Sequence, residues 1–326
     1  MEAYKEIPSI SIEDNLFSWL DETINEFFTS ENYSSGKRDM EVLAYRKGLF
    51  SHNQLTLEEI GIIFGSITSE RVRQLEKRAF NNLSELLNTG VNESMKLMLR
   101  QEDFAKLSEF RLNLIKLNSI IDEEEIQMHV TDYFSLINVD IYSLRLLLEI
   151  FGFNPIVLEC TSSETYYIWA KEEINSKKVI RIINEIVSYL QKTIAPQSLQ
   201  DIILQINKRK KKSSRFSTDE IQQAIEVCRD IEQLPDKTFQ VNYSCLKTYE
   251  DKLFRILFNE KRPMHIQQLA IILNLNATKY GERSGVTPHH VGSRLSSDER
   301  FQPIGRSGLW KLASWDHIST DFVLDL

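Results

Sequence analysis

The stretch "LTLEEIGIIFGSITSERVRQLEKRAF", Leu55 to Phe80, constrains this chain more than any other. Thr56 follows a loop and Glu59 lies three residues on, the pattern of a capping box, so a helix starts at Leu57. Leu57, Ile60 and Phe64 share its inward face, and Gly65 ends it, since glycine readily takes the left-handed backbone. Thr68 can cap the next helix, with Glu70 well placed in the first turn. Val72, Leu75, Ala79, Leu83 and Leu86 follow spacings of three and four and form one apolar stripe. At about 100° per residue, Glu70, Gln74, Lys77 and Arg78 lie opposite, with Arg71 and Arg73 on the flanks. Two helices around a short glycine turn make a helix-turn-helix. An outer face of Arg and Gln can hydrogen-bond guanine and adenine edges in a major groove, while Lys and Arg reach phosphates.

The flanks extend the motif. "SIEDNLFSWLDETINEFF" places Ile12, Leu16, Trp19, Leu20, Ile24 and Phe27 at helical spacing, "NYSSGKR" breaks that helix, and "RDMEVLAYRKGLF" begins another around Met40, Val42, Leu43 and Leu49. With these in place, "RDMEVLAYRKGL…LTLEEIGIIFG…TSERVRQLEKRA", from Arg38 to Leu83, resembles region four of bacterial sigma factors, which reads the −35 promoter element. The resemblance implies that Glu70, Arg71, Arg73 and Gln74 face the groove, that Arg78 lies near it, and that the helix start at Thr56 and Leu57 meets phosphate. Thr68 and Ser69, at the start of the second helix, join the candidate contacts. The family usually carries Arg after the capping Thr, where this chain has Ser69. Its turn is usually Gly-Val-Thr, where Gly65-Ser66-Ile67-Thr68 is one residue longer. Nothing in the chain resembles sigma region two, so a complete sigma factor is not expected.

The expected architecture is mainly α with small β-hairpins: the sigma-region-4-like helix-turn-helix domain (1–90), then tandem winged-helix-like domains. A connecting helix is expected over 91–118. The pattern of helices followed by two apolar strands then recurs. It recurs weakly at 119–175, more clearly at 176–243 around the capping box of Ser217 and Glu220, and most clearly at 244–318. A tail of 319–326 remains. In the last copy Thr287 caps a helix with Pro288 at its first position, and "RFQPIGRSGLWKLA" reads as strand, glycine turn, strand. "RPMHIQQLA", "TPHHVGSRLSSDERF" and "IGRSGLWKL" resemble the HARE-HTH winged helix, also found at the N-terminus of the delta subunit of some bacterial RNA polymerases. By that resemblance Arg306, at the hairpin tip, is a phosphate or minor-groove contact, and His289, His290 and Arg294 lie on the third helix. A partner or dimer interface is the alternative use of that surface.

The 326 residues carry a net charge of −8, so any nucleic-acid surface must be local. The one dense basic run is "KRKKKSSR", in a predicted loop: Lys208, Arg209, Lys210, Lys211, Lys212 and Arg215. Each phosphate these neutralised would add salt dependence to binding. Hydrophobic residues at 42% and charged residues at 26% indicate a folded chain. Cys160, Cys228 and Cys245 form no CxxC pair, which disfavours a zinc site or disulfide framework and fits a reducing cytoplasm. There is no signal-peptide build and no apolar run long enough to span a bilayer.

The six histidines, His52, His129, His265, His289, His290 and His317, complete no metal-ligand or hydrolase motif, and no phosphate-binding glycine loop is present. "DEEE" at 122–125 reads as the acidic first turn of a helix. No enzyme, metal or cofactor is expected. The expected partner is double-stranded DNA and the expected role transcription regulation in a bacterium, phage or mobile element. An accessory protein bound to RNA polymerase or another protein, a homodimer, and the DNA-recognition subunit of a multi-protein defence system stay open.

Overall fold

A computed structural model describes residues 4–7, 10–13, 15–33, 35–161, 163–208, 210–211, 214–281 and 283–315. The chain is mainly helical with small sheets and divides into two compact units. The first holds residues 1–157 and 167–176, and the second holds 158–166 and 177–326.

The first unit opens with β1 (Lys5–Ile7) and α1 (Leu16–Thr29). Asn15 caps α1, its side-chain oxygen accepting from the Phe17 and Ser18 amides at 3.0 and 3.1 Å. Leu16, Trp19, Leu20, Ile24 and Phe27 are fully buried, as their spacing predicts. α2 (Gly36–Lys47) ends at left-handed Gly48. α3 (Leu57–Ile63) and α4 (Ser69–Thr89) follow, and left-handed Gly90 stops α4. β2 (Val91–Asn92) and β3 (Leu97–Leu99) then form a sheet in the order β1-β3-β2, with β1 parallel to β3.

This sheet corrects the connecting helix expected over 91–118. The Asn92 side chain accepts from the Met95 amide at 2.9 Å and the Ser94 hydroxyl at 2.8 Å, closing a turn where a helix was expected. Helix begins only at α5 (Gln101–Lys116), whose Leu107, Phe110 and Leu114 are buried. β4 (Ile120–Asp122), α6 (Glu123–Phe134), α7 (Ile141–Ile150), β5 (Phe153–Glu159) and β6 (Thr165–Lys171) complete the region, with strand order β4-β6-β5. Nor do residues 119–175 keep a core of their own. Phe134, Leu147 and Trp169 share one buried cluster with Trp19 of α1 and Leu83 of α4.

The second unit runs through α8 (Ser176–Thr193), α9 (Leu199–Asn207), α10 (Thr218–Glu226), β7 (Ile231–Gln233) and β8 (Phe239–Val241). It continues with α11 (Tyr249–Glu260), β9 (Met264–His265), α12 (Ile266–Lys279), α13 (Pro288–Ser296), β10 (Phe301–Ile304) and β11 (Leu309–Leu312). Buried Arg255 of α11 donates to the carbonyls of Val241 (3.0 Å) and Ile194 (2.8 Å), tying α11 to β8 and to the end of α8.

One order of elements occurs three times: helix, short strand or bridge, two helices, hairpin. Each time the early strand pairs with the hairpin's second strand. β4 pairs with β6, Gln197 bridges to Phe239 of β8, and β9 pairs with β11. The first copy takes α5 as its leading helix, which places its start before residue 119. The tail expected over 319–326, and His317, lie outside the described residues. Among the described residues no helix is long and apolar enough to cross a membrane.

Candidate nucleic-acid interface

The helix-turn-helix has a small core of its own. Val42 of α2, Ile60 of α3, and Val72 and Leu75 of α4 are buried together, with Tyr45, Leu57, Phe64 and Ile67 packed around them. Both caps form as expected. The Thr56 amide donates to the Glu59 carboxylate at 2.8 Å and the Glu59 amide to the Thr56 hydroxyl at 3.2 Å. The Thr56 amide first, and then the Thr56 hydroxyl, which also donates to the Glu59 carboxylate at 2.7 Å, hold the Glu59 carboxyl below its ordinary pKa. The Thr68 hydroxyl accepts from the Arg71 amide at 3.2 Å. The turn closes tightly on α3, because the Ile67 amide donates to the Gly61 carbonyl at 3.1 Å. A Cβ on Gly61 would stand 2.4 Å from the Ile67 carbonyl oxygen, so only glycine fits there. Gly65 and Ser66 both take positive φ, 82° and 63°. The added turn residue is thus accommodated by two successive left-handed residues.

The exposed start of α4 presents Thr68, Ser69, Glu70, Arg71, Arg73, Gln74 and Lys77 to solvent. Four of these side chains form one network. Arg73 bonds both oxygens of Glu70 (2.8 and 2.7 Å), Gln74 donates to Glu70 at 3.3 Å, and Arg71 donates to Gln74 at 3.1 Å. The Arg73 bonds hold the Glu70 carboxyl below its ordinary pKa. Exposed pairs of this kind contribute little to stability, so the network orders the face yet can exchange its bonds for a ligand's.

Arg78, expected near the groove, is exposed on α4 but is also bonded within the domain. Its guanidinium grips the fully buried Asp39 of α2 through two hydrogen bonds of 2.8 and 2.7 Å and adds Ser35 at 2.9 Å. Tyr33 donates to the same carboxylate at 2.8 Å. Burial, more than its neighbours, pushes the Tyr33 hydroxyl up to about 12. A buried carboxylate demands a partner, and Arg78 is the cation within reach. Arg78 therefore joins α4 to α2 as part of the scaffold.

Residues 37–85 match the family Sigma-70, region 4. That family is a DNA-binding helix-turn-helix, and the matched segment runs from α2 into the second half of α4. The match covers a small part of the chain. Comparison with curated proteins and with solved structures gave no match.

Beyond the sigma-region-4-like segment, the remaining candidates divide. In the basic loop Lys208, Lys211 and Arg215 are exposed. Lys210 is instead ion-paired with Glu185 of α8, and its ammonium lies 4.6 Å from the Phe216 ring centre. Arg209 and Lys212 lie outside the described residues. On α13, His289 is exposed, but His290 packs edge-on to Tyr249 at 5.4 Å and accepts from Arg294 at 3.2 Å. Arg294 also bonds Glu250 of α11 at 3.1 Å, so this pair serves the contact between α13 and α11. Arg306 is exposed at the β10–β11 turn, between left-handed Gly305 and the Gly308 that packs against His265.

The candidate set omits the cations of α8. Lys177, Arg181 and Lys192 fall on one exposed helical face, and their signal is spacing.

Proposed function

We propose that this chain is a sequence-specific double-stranded DNA-binding protein of the cytoplasm, a regulator of bacterial, phage or mobile-element transcription and not an enzyme. The observation that carries the reading is the exposed face of Arg71, Arg73, Gln74 and Lys77 on a scaffold similar to sigma region four. In this reading α4 enters the major groove. Arg73 exchanges Glu70 for a guanine edge, Gln74 reads adenine, and the amides at the start of α3 meet phosphate. Ser69 and the longer turn give it a target other than a standard −35 element.

The three repeated units are winged helices in this proposal. The pairing of each early strand with the second hairpin strand supports it, and it would make Arg306 a contact at the tip of the last wing. Selection from random duplexes tests the whole reading, with an enriched motif expected. Arg73→Ala or Gln74→Ala should then weaken binding to that motif between about fivefold and 150-fold. Unchanged binding by both variants would remove α4 from the interface.

A second reading has its own observation. Ile62 and Ile63 of α3 are exposed at 68% and 52%, an apolar surface that a partner such as RNA polymerase could cover. Polymerase retained from a nuclease-treated bacterial lysate, and lost on Ile62→Ser, supports an accessory role bound to polymerase.

A further inference from the structure

The middle module of the second unit puts its positive charge on an unexpected side. α10 holds the place of α4 there, yet its exposed residues include Asp219, Gln222 and Glu226, and it carries no Lys or Arg. The cations lie on α8 and the loop that follows α9. α8 exposes Lys177, Arg181, Asn184, Ser188 and Lys192, spaced by three or four residues along one face. At 1.5 Å per residue, Lys177 and Lys192 stand about 22 Å apart along the axis.

An open cleft of roughly 950 Å³ runs between this face, the end of α9 and the basic loop. Lys177, Arg181, Lys192, Lys208 and Lys210 line it, and Glu185 is the one acid in the lining. Glu185 accepts from Arg181 at 2.9 Å and pairs with Lys210. Lys177, Lys192 and Lys208 have no ion-pair partner among the described residues, so the cleft keeps a strong positive excess.

The loop is also held against α8. Asn207 and Phe216 close its base, with the Asn207 side chain donating to the Phe216 carbonyl at 3.0 Å and accepting from its amide at 2.9 Å. Arg181 and Lys210 lie 5.6 and 4.6 Å from the Phe216 ring centre. A purely solvated basic loop would need neither anchor.

We propose that this cleft binds the DNA phosphate backbone, so that the middle module meets DNA through α8, Lys208 and Lys210, while α10, which lines none of the cleft, takes no part. The proposal rests on the reading of the chain as DNA-binding and names a second contact surface within it. The chemistry is that of a polyanion. Ammonium and guanidinium groups donate to phosphate oxygens, and Asn184 and Ser188 between them can do the same without reading bases. A duplex strand places a phosphate every 3.4 Å along its axis, so about 22 Å spans roughly six of them. A small free anion would fill only one end.

The test measures binding of the full chain to a labelled random-sequence duplex at 50 and 200 mM salt. The first variant is Lys177→Gln with Lys192→Gln and Lys208→Gln, all at exposed positions. Losing three phosphate contacts lowers the salt slope by about 2.7, so the unaltered protein should lose about 40-fold more affinity across that range than the variant. An unchanged slope overturns the proposal, and leaves an acidic protein as the partner such a cleft fits. Gln222→Ala with Gln223→Ala should change nothing, and a loss there instead would put α10 on the DNA and overturn it too. Arg73→Ala with Gln74→Ala, measured as preference for a selected duplex over a random one, tests the α4 reading separately. Preference lost there with the cleft slope unchanged defeats the cleft alone. Preference kept there with the cleft slope reduced defeats the α4 reading alone.

Discussion

α4 and α10 are built on the same local rules and offer opposite surfaces. Each follows a capping hydroxyl. Thr68 accepts from the Arg71 amide at 3.2 Å, and Ser217 from the Glu220 amide at 3.1 Å. Each buries a narrow stripe, Val72 and Leu75 in one, Ile221, Ala224 and Ile225 in the other. Outward, α4 carries Arg71, Arg73, Gln74 and Lys77, whereas α10 carries Asp219, Gln222 and Glu226. Capping and burial leave outward residues nearly unconstrained, so those residues record use where the inward ones record packing. Position in a helix-turn-helix arrangement therefore does not identify the DNA-facing helix. Under the DNA-binding proposal surface charge is the guide instead, and in the middle module it points to α8.

The comparison breaks most visibly if the cations of α4 are not divided between scaffold and surface. Arg78→Ala strips the buried Asp39 of its cation. Tyr33 still donates to Asp39, so the loss should sit at the low end for a broken buried pair, about 3 kcal/mol. Urea unfolding checks this. A change within about 0.5 kcal/mol, the range of ordinary surface substitutions, would return Arg78 to the candidate contacts. Arg71→Ala, by contrast, should leave stability nearly unaltered, because among the described residues its side chain bonds only the exposed Gln74.

A pH dependence sharpens the contrast between the core beneath α4 and the second unit. In α1, burial first and the nearby Asp140 second raise the Asp21 carboxyl to about 6. One of its oxygens is buried with no hydrogen-bond partner. The folded state thus holds a proton that the unfolded chain releases near pH 4. Between about pH 4 and 6 the folded form binds more protons, so stability falls as pH rises through that window. The size is about 2 kcal/mol at most, given that the site is only half-buried. Asp21→Asn should flatten that slope for the first unit, read by denaturation at pH 4, 5 and 6. A slope that survives the substitution removes Asp21 as its source.

Most of the local grammar was legible in the sequence. The caps at Thr56, Thr68, Ser217 and Thr287 and the stripe from Val72 to Leu86 are decided within one or two helical turns, and the structure places them as spacing predicts. Long-range choices were not. Lys5 pairs with Leu97 through backbone atoms, which any sequence offers equally. Asp39 and Arg78 meet across two helices, and nothing near Arg78 marks it as different from Arg73. The cleft was hidden for another reason. The basic run at 208–215 is dense along the chain, but the α8 cations are interrupted by buried Val179, Ile182, Ile183 and Ile186, so they assemble only on the helix surface.

The smallest effect concerns the turn that sets the angle of α4. Ser66 sits at φ 63°, directly after Gly65 at 82°. A left-handed backbone costs a serine more than a glycine, because its Cβ approaches the carbonyl oxygen. Glycine also loses more chain entropy on folding, which offsets part of that gain. Ser66→Gly should therefore stabilise the domain by only about 0.5 kcal/mol. Its effect on DNA is the sharper readout. If two left-handed residues hold the recognition angle, the substitution keeps the backbone and the selected motif stays the same. Ser66→Val disfavours the left-handed turn, and should weaken binding to that motif more than it weakens binding to random duplex. Equal weakening on both would mean that the turn positions no base contact, and that α4 differs from α10 in charge alone.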